Sequence, residues 1–345
     1  MPIRVESEGQ RDTGTKGRRA EKRLRPSVPL SLRPSSGHQI IEALKLAEST
    51  ATTILAGLAL VVLGLALGCS ESEPASPVGG GHTLRILSLT PNVTEILFAM
   101  GLGGQVVGRS TCCDEPPEAR ALPVVGDTLH MNLNQVIALE PTLAFLITGR
   151  EEVARGLEAR GVRTVRLESD TLPEMFDSIR LIGRETGRED AAGSLVARIE
   201  SDLAAVRRRV AGLARPRVLF AFPMTVGSAR IMVAGRGTFV DALLEMAGAE
   251  NAYPDRANWP TVSPQKVIAA APDVILVHAV GDEGARDRVE AIRRAWAEWT
   301  SIPAVAGGRV HILTEPYLTI PGPRVGLAAE RLAETIHPEL QERSP

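Results

Sequence analysis

Cysteine, aromatic side chains and lysine are all scarce in this chain. Three cysteines in 345 residues are too few to staple a disulfide scaffold, so stability must come from a buried apolar core. Aromatic residues make up 3% of the sequence, and any Trp or Tyr that falls in a loop therefore merits attention. Neither sign of charge is in excess. The formal net charge is −2 and the pI about 6.4, which denies the chain the basic field that nucleic-acid phosphates require. Only one long apolar run occurs, which excludes a polytopic membrane protein. Catalytic signatures are missing as well: there is no G-x-S-x-G elbow, Walker loop, dinucleotide fingerprint or H-E-x-x-H. Gly235-Arg236-Gly237 is too short to cradle a phosphate and reads as a turn before a helix. An enzyme is not expected.

What is present, 44% hydrophobic and 23% charged residues, is the composition of folded soluble domains, and the length suits about two of them. The first 69 residues differ from the rest. Residues 1–40 are polar, carry basic clusters (Arg18, Arg19, Lys22, Arg23, Arg25) and show no apolar period; they read as disordered or as preceding the true start. Lys45 leads into the uncharged run ILAGLALVVLGLALG, residues 54–68, which stops at Cys69. Fifteen residues fall short of the roughly 20 that a bilayer span needs and fit the apolar region of a secretory signal. The end of the run, Leu65-Ala66-Leu67-Gly68-Cys69, resembles a bacterial lipoprotein signal, apart from Ala66 where Leu is preferred; an uncleaved N-terminal anchor is the alternative. Either reading puts the folded part outside the cytoplasmic membrane, periplasmic or otherwise extracytoplasmic, behind a solvated tether at 70–82. Residues 1–69 hold 10 basic and 6 acidic side chains, leaving 29 and 35, or −6, for residues 70–345.

Beyond the tether the sequence repeats itself. The first copy runs RILSLTPNVTEILFAMG (85–101), QVVG, a loop, and NLNQVIALEPTLAFLI (132–147). The second runs RVLFAFP (217–223), GTFVDALLEMAG (237–248), ENAY, a loop, and SPQKVIAAAPDVILVH (263–278). Each copy is an apolar strand, a helix closed by glycine (Gly101, Gly248), turn residues, a short helix, proline and another strand. VRTVRL (162–167) and GRVHIL (308–313) add a strand to each. The pattern predicts an α/β protein of two lobes, 83–187 and 215–338, each with a parallel sheet flanked by helices. Between them, residues 188–214 place Ala192, Leu195, Ile199, Leu203, Val206 and Val210 at helical spacing. One stiff backbone helix joining the lobes argues against large hinge closure. In parallel sheets ligands lie beyond the carboxyl ends of strands, which points to the loops holding Thr90 to Asn92, Thr148 and Arg150, Pro223 and Met224, His278, and Tyr317. Trp296 and Trp299, three apart in AIRRAWAEW, read as packing.

From about residue 83 to 338 the chain resembles the helical-backbone substrate-binding proteins of ABC importers, the group that captures vitamin B12, haem and ferric siderophores. The resemblance is carried by ILSLTPNVTEILFAMG, GRSTCCDEPPEARALPVVGD, MNLNQVIALEPTLAFLI, AGRGTFVDALLEMAGAENAY, WPTVSPQKVIAAAPDVILV and IPGPRVGLAAERLAETIHP. It implies capture of a ligand in an inter-lobe cleft and delivery to an ABC permease with its ATPase; a surface sensor that binds without transport is the alternative from another class. GRSTCCDEPPEARALP and NWPTVSPQKV are most similar to B12 binders, so a corrinoid is the ligand implied, with haem or a ferric siderophore as alternative. The resemblance adds the loops at His130-Met131-Asn132 and Trp259-Pro260. Trp259 and Tyr317 would face a flat macrocycle, and Asn92, Arg109 and Arg150 would serve its polar edges. In the loop of Tyr317 the B12 binders carry a Trp with Asp and Arg nearby, where this chain has Pro316 and Ile320.

No resident cofactor is implied; a corrinoid or haem ligand brings its own cobalt or iron. The histidines form no metal cluster. His311 and His337 read as structural, whereas His130 or His278 would suffice as a lone axial ligand to the metal of a haem or corrinoid. The family often bridges a cysteine at the Cys113 position to the second lobe, but no cysteine follows residue 113. A strained vicinal disulfide or two free thiols remain for Cys112 and Cys113, with loop stiffening or soft-metal capture as roles. In the B12 members each lobe carries a rim Glu that meets permease arginines; Asn134 and Gln265 occupy those positions here. They are the docking points the resemblance implies, and surface carboxylates such as Glu95 are the alternative.

Overall fold

The sequence duplication reappears as two four-stranded sheets with the same connectivity. The computed structural model describes residues 84–127, 130–223, 230–253, 258–279 and 285–342. The leader, Cys69, the tether and Met224 lie outside the described residues.

In the first lobe the strands are β1 (Ile86–Ser88), β2 (Val106–Arg109), β3 (Leu143–Ile147) and β4 (Arg163–Leu167), ordered β2-β1-β3-β4 and parallel throughout. Helices α1 (Pro91–Ala99), α2 (Leu133–Ala138), α3 (Glu151–Glu158) and α4 (Leu172–Thr186) connect and cover them. The second lobe pairs β5 (Arg217–Ala221), β7 (Glu250–Asn251), β9 (Val274–His278) and β10 (Val310–Leu313) in the order β7-β5-β9-β10, again all parallel. Matching β1 with β5, β2 with β7, β3 with β9 and β4 with β10 makes the two orders identical. The central strands read as unbroken apolar runs, LAFLI and VILVH, because both faces of each sheet are covered.

The repeat extends to backbone detail. Helices α2 and α7 (Pro264–Ala270) are each followed by a non-glycine residue at positive φ, Glu140 at 43° and Ala271 at 42°, and then by Pro141 and Pro272. Proline clashes with a helical conformation at the residue before it, so the helix cannot continue, and in both copies the chain leaves through the left-handed region. Helices α1 and α6 (Phe239–Met246) run out into Gly101 and Gly248, at φ 74° and 76°, where a side chain would be strained.

The connector is α5 (Glu189–Arg209), about 31 Å long at 1.5 Å per residue. Glu189 and Asp190 stand in its first turn and Arg207, Arg208 and Arg209 in its last, each complementing the helix dipole. It stops short of residue 214 because Val210 closes it and Gly212 turns left-handed at φ 82°. Ala192, Leu195, Val196, Ile199, Leu203 and Val206 are buried in one apolar cluster that runs from Ile86 and Phe145 in the first sheet to Phe220 and Leu332 in the second lobe. The two lobes thus share a core through the helix. Helix α8 (Val325–Ile336) packs along α5, and Gly326 brings them close: a Cβ there would meet Asp202 Cβ at 2.8 Å.

One feature was not anticipated from the pattern: a short antiparallel pair, β6 (Ile231–Met232) with β8 (Thr261–Val262), inserted in the second lobe. It is two residues per strand, too short to leave a period in the sequence. Trp296 is 1% exposed and packs edge-on against Trp299 at 5.0 Å. His337 is buried, its Nε2 3.0 Å from the Ala247 carbonyl oxygen.

Candidate functional site

Two loops at carboxyl ends of first-lobe strands face the second lobe across a cavity of about 330 Å³. After β1 come Thr90, Pro91 and Asn92; after β4 come Ser169 and Asp170; Ile147 ends β3. Opposite them stand Phe222 after β5, Phe239 at the start of α6, Trp259 before β8, and Thr319, Ile320 and Pro321 after β10. One wall is aromatic. Trp259 meets Phe222 edge-on at 5.6 Å and Phe239 at 6.0 Å. The facing wall carries an amide, hydroxyls and a carboxylate. Asn92 is 5% exposed and donates from Nδ2 to Ser169 Oγ at 3.5 Å.

The N-terminus of α1 opens on this cavity without a cap. Thr90 holds the N-cap position but its side chain makes no cap bond, and its buried Oγ1 has no hydrogen-bond partner. Pro91 takes the first helical position, where its missing N–H costs nothing. With no acidic residue in the first turn, the positive end of the helix dipole remains uncompensated.

Around the cavity the lobes are tied together. Phe239 N–H donates to the Asp170 carbonyl oxygen at 2.7 Å, and Asn258 Nδ2 to Asp170 Oδ2 at 3.1 Å. Arg324 and Glu95 form an ion pair at 2.7 Å. These ties and the shared core join the two lobes around the cavity.

The structure brings some expected residues to the cavity and takes others away. Trp259 and Asn92 line it. Tyr317 sits half-buried two residues before Thr319, with the Arg324 guanidinium 5.5 Å from its ring centre, and is not in the cavity wall. Arg109 is spent on its own loop: its guanidinium donates to Asp114 Oδ1 at 3.1 Å and to the carbonyl oxygens of Ser110 and Arg120 at 3.2 and 3.3 Å. Arg150 is the N-cap residue of α3 and half-buried, also away from the lining. His278 is 2% exposed, between Phe220 and Phe222, with Nε2 3.0 Å from the Glu315 carbonyl oxygen. That carbonyl accepts the Nε2 proton, and burial holds the ring pKa below the ordinary 6.5. His278 is therefore a neutral packing residue with Nε2 engaged, not the free axial donor that strand-end placement suggested. His130 projects into solvent, its side chain 85% exposed beside Asp127. No imidazole stands among the described residues that line the cavity, and among the described residues no cluster of His, Cys, Asp and Glu could hold a metal.

Ser169, Asp170, Phe222 and Phe239 were missed from sequence. The signal for the first two was present: VRTVRL reads as a strand, and the loop at its carboxyl end belongs to the same rim. Phe239 opens a helix whose apolar period disguises it as core.

Asn134 and Gln265 occupy the same place in α2 and α7, the second helical position, and both are exposed. One turn on, Ile137 and Ile268 are also exposed, at 53% and 40%. Glu95, by contrast, is 5% exposed and paired with Arg324, so it is no surface carboxylate. Cys112 and Cys113 are free thiols.

Two parallel α/β lobes joined by one helix, with a ligand-sized cavity between strand ends, define a substrate-binding protein of an ABC importer. The chain belongs to the periplasmic binding protein family, whose model matches residues 86–317; its members are binding components of transport, not enzymes. It is 29% identical over 260 residues to an uncharacterized ABC transporter substrate-binding lipoprotein, YvrC, of Bacillus subtilis, covering 74% of this chain and 80% of the relative. It is 28% identical over 255 residues to the vitamin B12-binding protein of Salmonella typhimurium, covering 73% and 90%. Among solved structures, the apo form of the periplasmic heme-binding protein RhuT from Roseiflexus sp. RS-1 is 30% identical with a TM-score of 0.64, covering 75% of this chain and all of that one (100%). Among the described residues no helix is long and apolar enough to cross a membrane.

Proposed function

We propose that this protein captures a corrinoid of the vitamin B12 type in the inter-lobe cleft and hands it to an ABC permease. The observation that carries the reading is the pairing of an aromatic wall, Trp259 with Phe222 and Phe239, with a polar wall of Thr90, Asn92, Ser169 and Asp170. A conjugated macrocycle offers a face for the first and amide edges for the second. A corrinoid that brings its own axial ligands needs no imidazole from the wall. The unpaired Thr90 hydroxyl and the uncapped N-terminus of α1 supply donors for carbonyl groups on such an edge.

Haem is the second reading, favoured by the likeness to a heme-binding protein; a ferric siderophore would be accommodated by the same fold. Titration calorimetry of the purified protein with cyanocobalamin, hemin and a ferric siderophore separates the three. A corrinoid affinity of 1 μM or tighter, about −8 kcal/mol, supports the proposal, and saturation by hemin alone transfers the function to haem. Cys69 is the proposed lipid attachment point, holding the protein on the outer face of the cytoplasmic membrane, and Asn134 and Gln265 the proposed permease contacts. A sensor role without transport would leave ligand uptake into vesicles unchanged when the protein is added.

A further inference from the structure

The two copies of the repeat begin their first helix in opposite ways. In the second copy Thr238 caps α6: its Oγ1 accepts from Asp241 N–H at 3.2 Å, and the Asp241 carboxylate, in the first turn, accepts from Gly237 N–H at 2.8 Å. In the first copy Thr90 holds the matching position and leaves α1 open. Its carbonyl oxygen accepts from Thr94 N–H at 3.1 Å, but its side chain makes no cap bond, and Oγ1 reaches no partner in a residue that is 5% exposed. Among the described residues the N–H groups of Thr90, Asn92 and Val93 reach no acceptor either. Buried polar groups are normally paired, and leaving one unpaired costs the desolvation of that group. Here hydroxyl and amide donors gather at one helix end, and Thr90, Pro91 and Asn92 line the inter-lobe cavity.

We propose that the N-terminus of α1 is the subsite for an oxyanion of the captured ligand, a phosphate or carboxylate group, held by the Asn92 and Val93 N–H groups and the Thr90 hydroxyl. The proposal rests on the reading of this cavity as the ligand site, and it names the charge that the ligand brings there. A neutral carbonyl satisfies such donors, but a charged oxygen also meets the uncompensated positive end of the helix and forms stronger hydrogen bonds. In a corrinoid of the B12 type the group is the phosphodiester that carries the lower nucleotide; in haem it is a propionate.

Asp170, the one charged residue among the described residues that line the cavity, is held elsewhere. Its Oδ2 accepts from Asn258 Nδ2 and its carbonyl oxygen from Phe239 N–H, which ties it to the second lobe. The strand that leads to it, β4, is separated from β1 by β3, about 10 Å across the sheet at the usual strand spacing. Asn92 Nδ2 is 3.5 Å from Ser169 Oγ, longer than an ordinary bond, and is a further donor for a ligand oxygen.

The test uses the isotope-labelled full chain, with inorganic phosphate as the probe at constant ionic strength. The amide resonances of Thr90, Asn92 and Val93 should move together and saturate, while those at the capped start of α6 stay still. Thr90→Val removes the hydroxyl and keeps the shape. Because Oγ1 has no partner in the protein, the thermal midpoint should hold or rise, while phosphate binding weakens at least about 5-fold. Stationary amides in the parent protein, or a lowered midpoint with unchanged phosphate binding in the variant, would overturn the proposal. Calorimetry with cyanocobalamin and with dicyanocobinamide, which lacks the phosphodiester and its nucleotide, separates the subsite from the choice of ligand. Cyanocobalamin should bind at least about 10-fold tighter, and Thr90→Val should narrow the gap. Equal affinities, or a gap that Thr90→Val leaves unchanged, would sink the subsite and leave the corrinoid reading standing. Amides that saturate with phosphate while no macrocycle binds would support the subsite and sink that reading. If haem is the cargo, hemin against its dimethyl ester gives the same comparison.

Discussion

Arg324 reaches across from the second lobe and grips Glu95 at two points, Nη2 to Oε1 at 2.7 Å and Nε to Oε2 at 2.9 Å, joining residues 229 apart in the chain. Burial pushes the Glu95 carboxyl above its usual range despite the hydrogen bond and charge of Arg324, which pull it down. The pair is therefore a costly buried charge made tolerable by its partner, and its worth lies in fixing the lobes' relative position.

Removing the arginine should cost more than neutralising the glutamate, because Glu95 is the more deeply buried partner. Arg324→Ala leaves the Glu95 carboxylate buried and unpaired and should destabilise the protein by about 3 kcal/mol, whereas Glu95→Gln, which keeps an acceptor, should cost about 1 kcal/mol. Urea unfolding at pH 7 reads both. Equal small losses for the two variants would mean that the pair contributes no more than surface contact.

The aromatic wall makes a prediction about binding. Trp259→Ala should weaken binding of the captured ligand by about 1–3 kcal/mol if the indole lies against it, measured by calorimetry. Because Trp259 is partly buried against the main core, the thermal midpoint must be followed too. Unchanged affinity with a lowered midpoint would make this Trp a structural prop. Tyr317→Phe should leave affinity unaltered, since its ring is turned under Arg324.

The fold was more legible than the site, for a physical reason. Strands buried on both faces and helices ended by Gly101, Gly248, Pro141 and Pro272 are dictated by local chemistry, so periodicity and turn residues suffice to find them. The cavity depends on which side chain points where after the lobes dock. Arg109 and His278 stand near strand ends as the rule for parallel sheets demands, yet one guanidinium is consumed by Asp114 and the imidazole by Glu315. Nothing in the sequence announces such partners. Asp170 shows the converse: an unremarkable loop carboxylate becomes a bridge between lobes only once Asn258 and Phe239 are opposite it.

Acid should destabilise the protein through His278. Its folded-state pKa lies below the ordinary 6.5 because burial disfavours the charged ring. As pH falls through about 6.5 the unfolded chain takes up the proton first, so stability declines from there down to the folded-state value and is flat above. Glu95 has the opposite sign: its raised carboxyl binds a proton before the unfolded chain does, which favours the folded state as pH falls toward 4.5. Urea midpoints from pH 8 to pH 5 should show a shallower decline in His278→Gln, which can still donate to the Glu315 carbonyl. An identical decline in parent and variant would assign the acid sensitivity elsewhere.

The permease contacts proposed above are a matched pair of uncharged side chains, one on each lobe. Asn134 and Gln265 sit at the same exposed helical position in each lobe, with Ile137 and Ile268 one turn on. An amide accepts a hydrogen bond from arginine but lacks the Coulomb attraction that chiefly sets encounter rate and its salt dependence. A permease that meets this surface should therefore associate with weak sensitivity to ionic strength. Asn134→Glu combined with Gln265→Glu should steepen that sensitivity in vesicle docking measured from low to high salt: faster association at low salt if arginines face the two sites, slower if apolar or acidic residues do. A double variant with the parent's rate and salt slope would remove these helices from the interface.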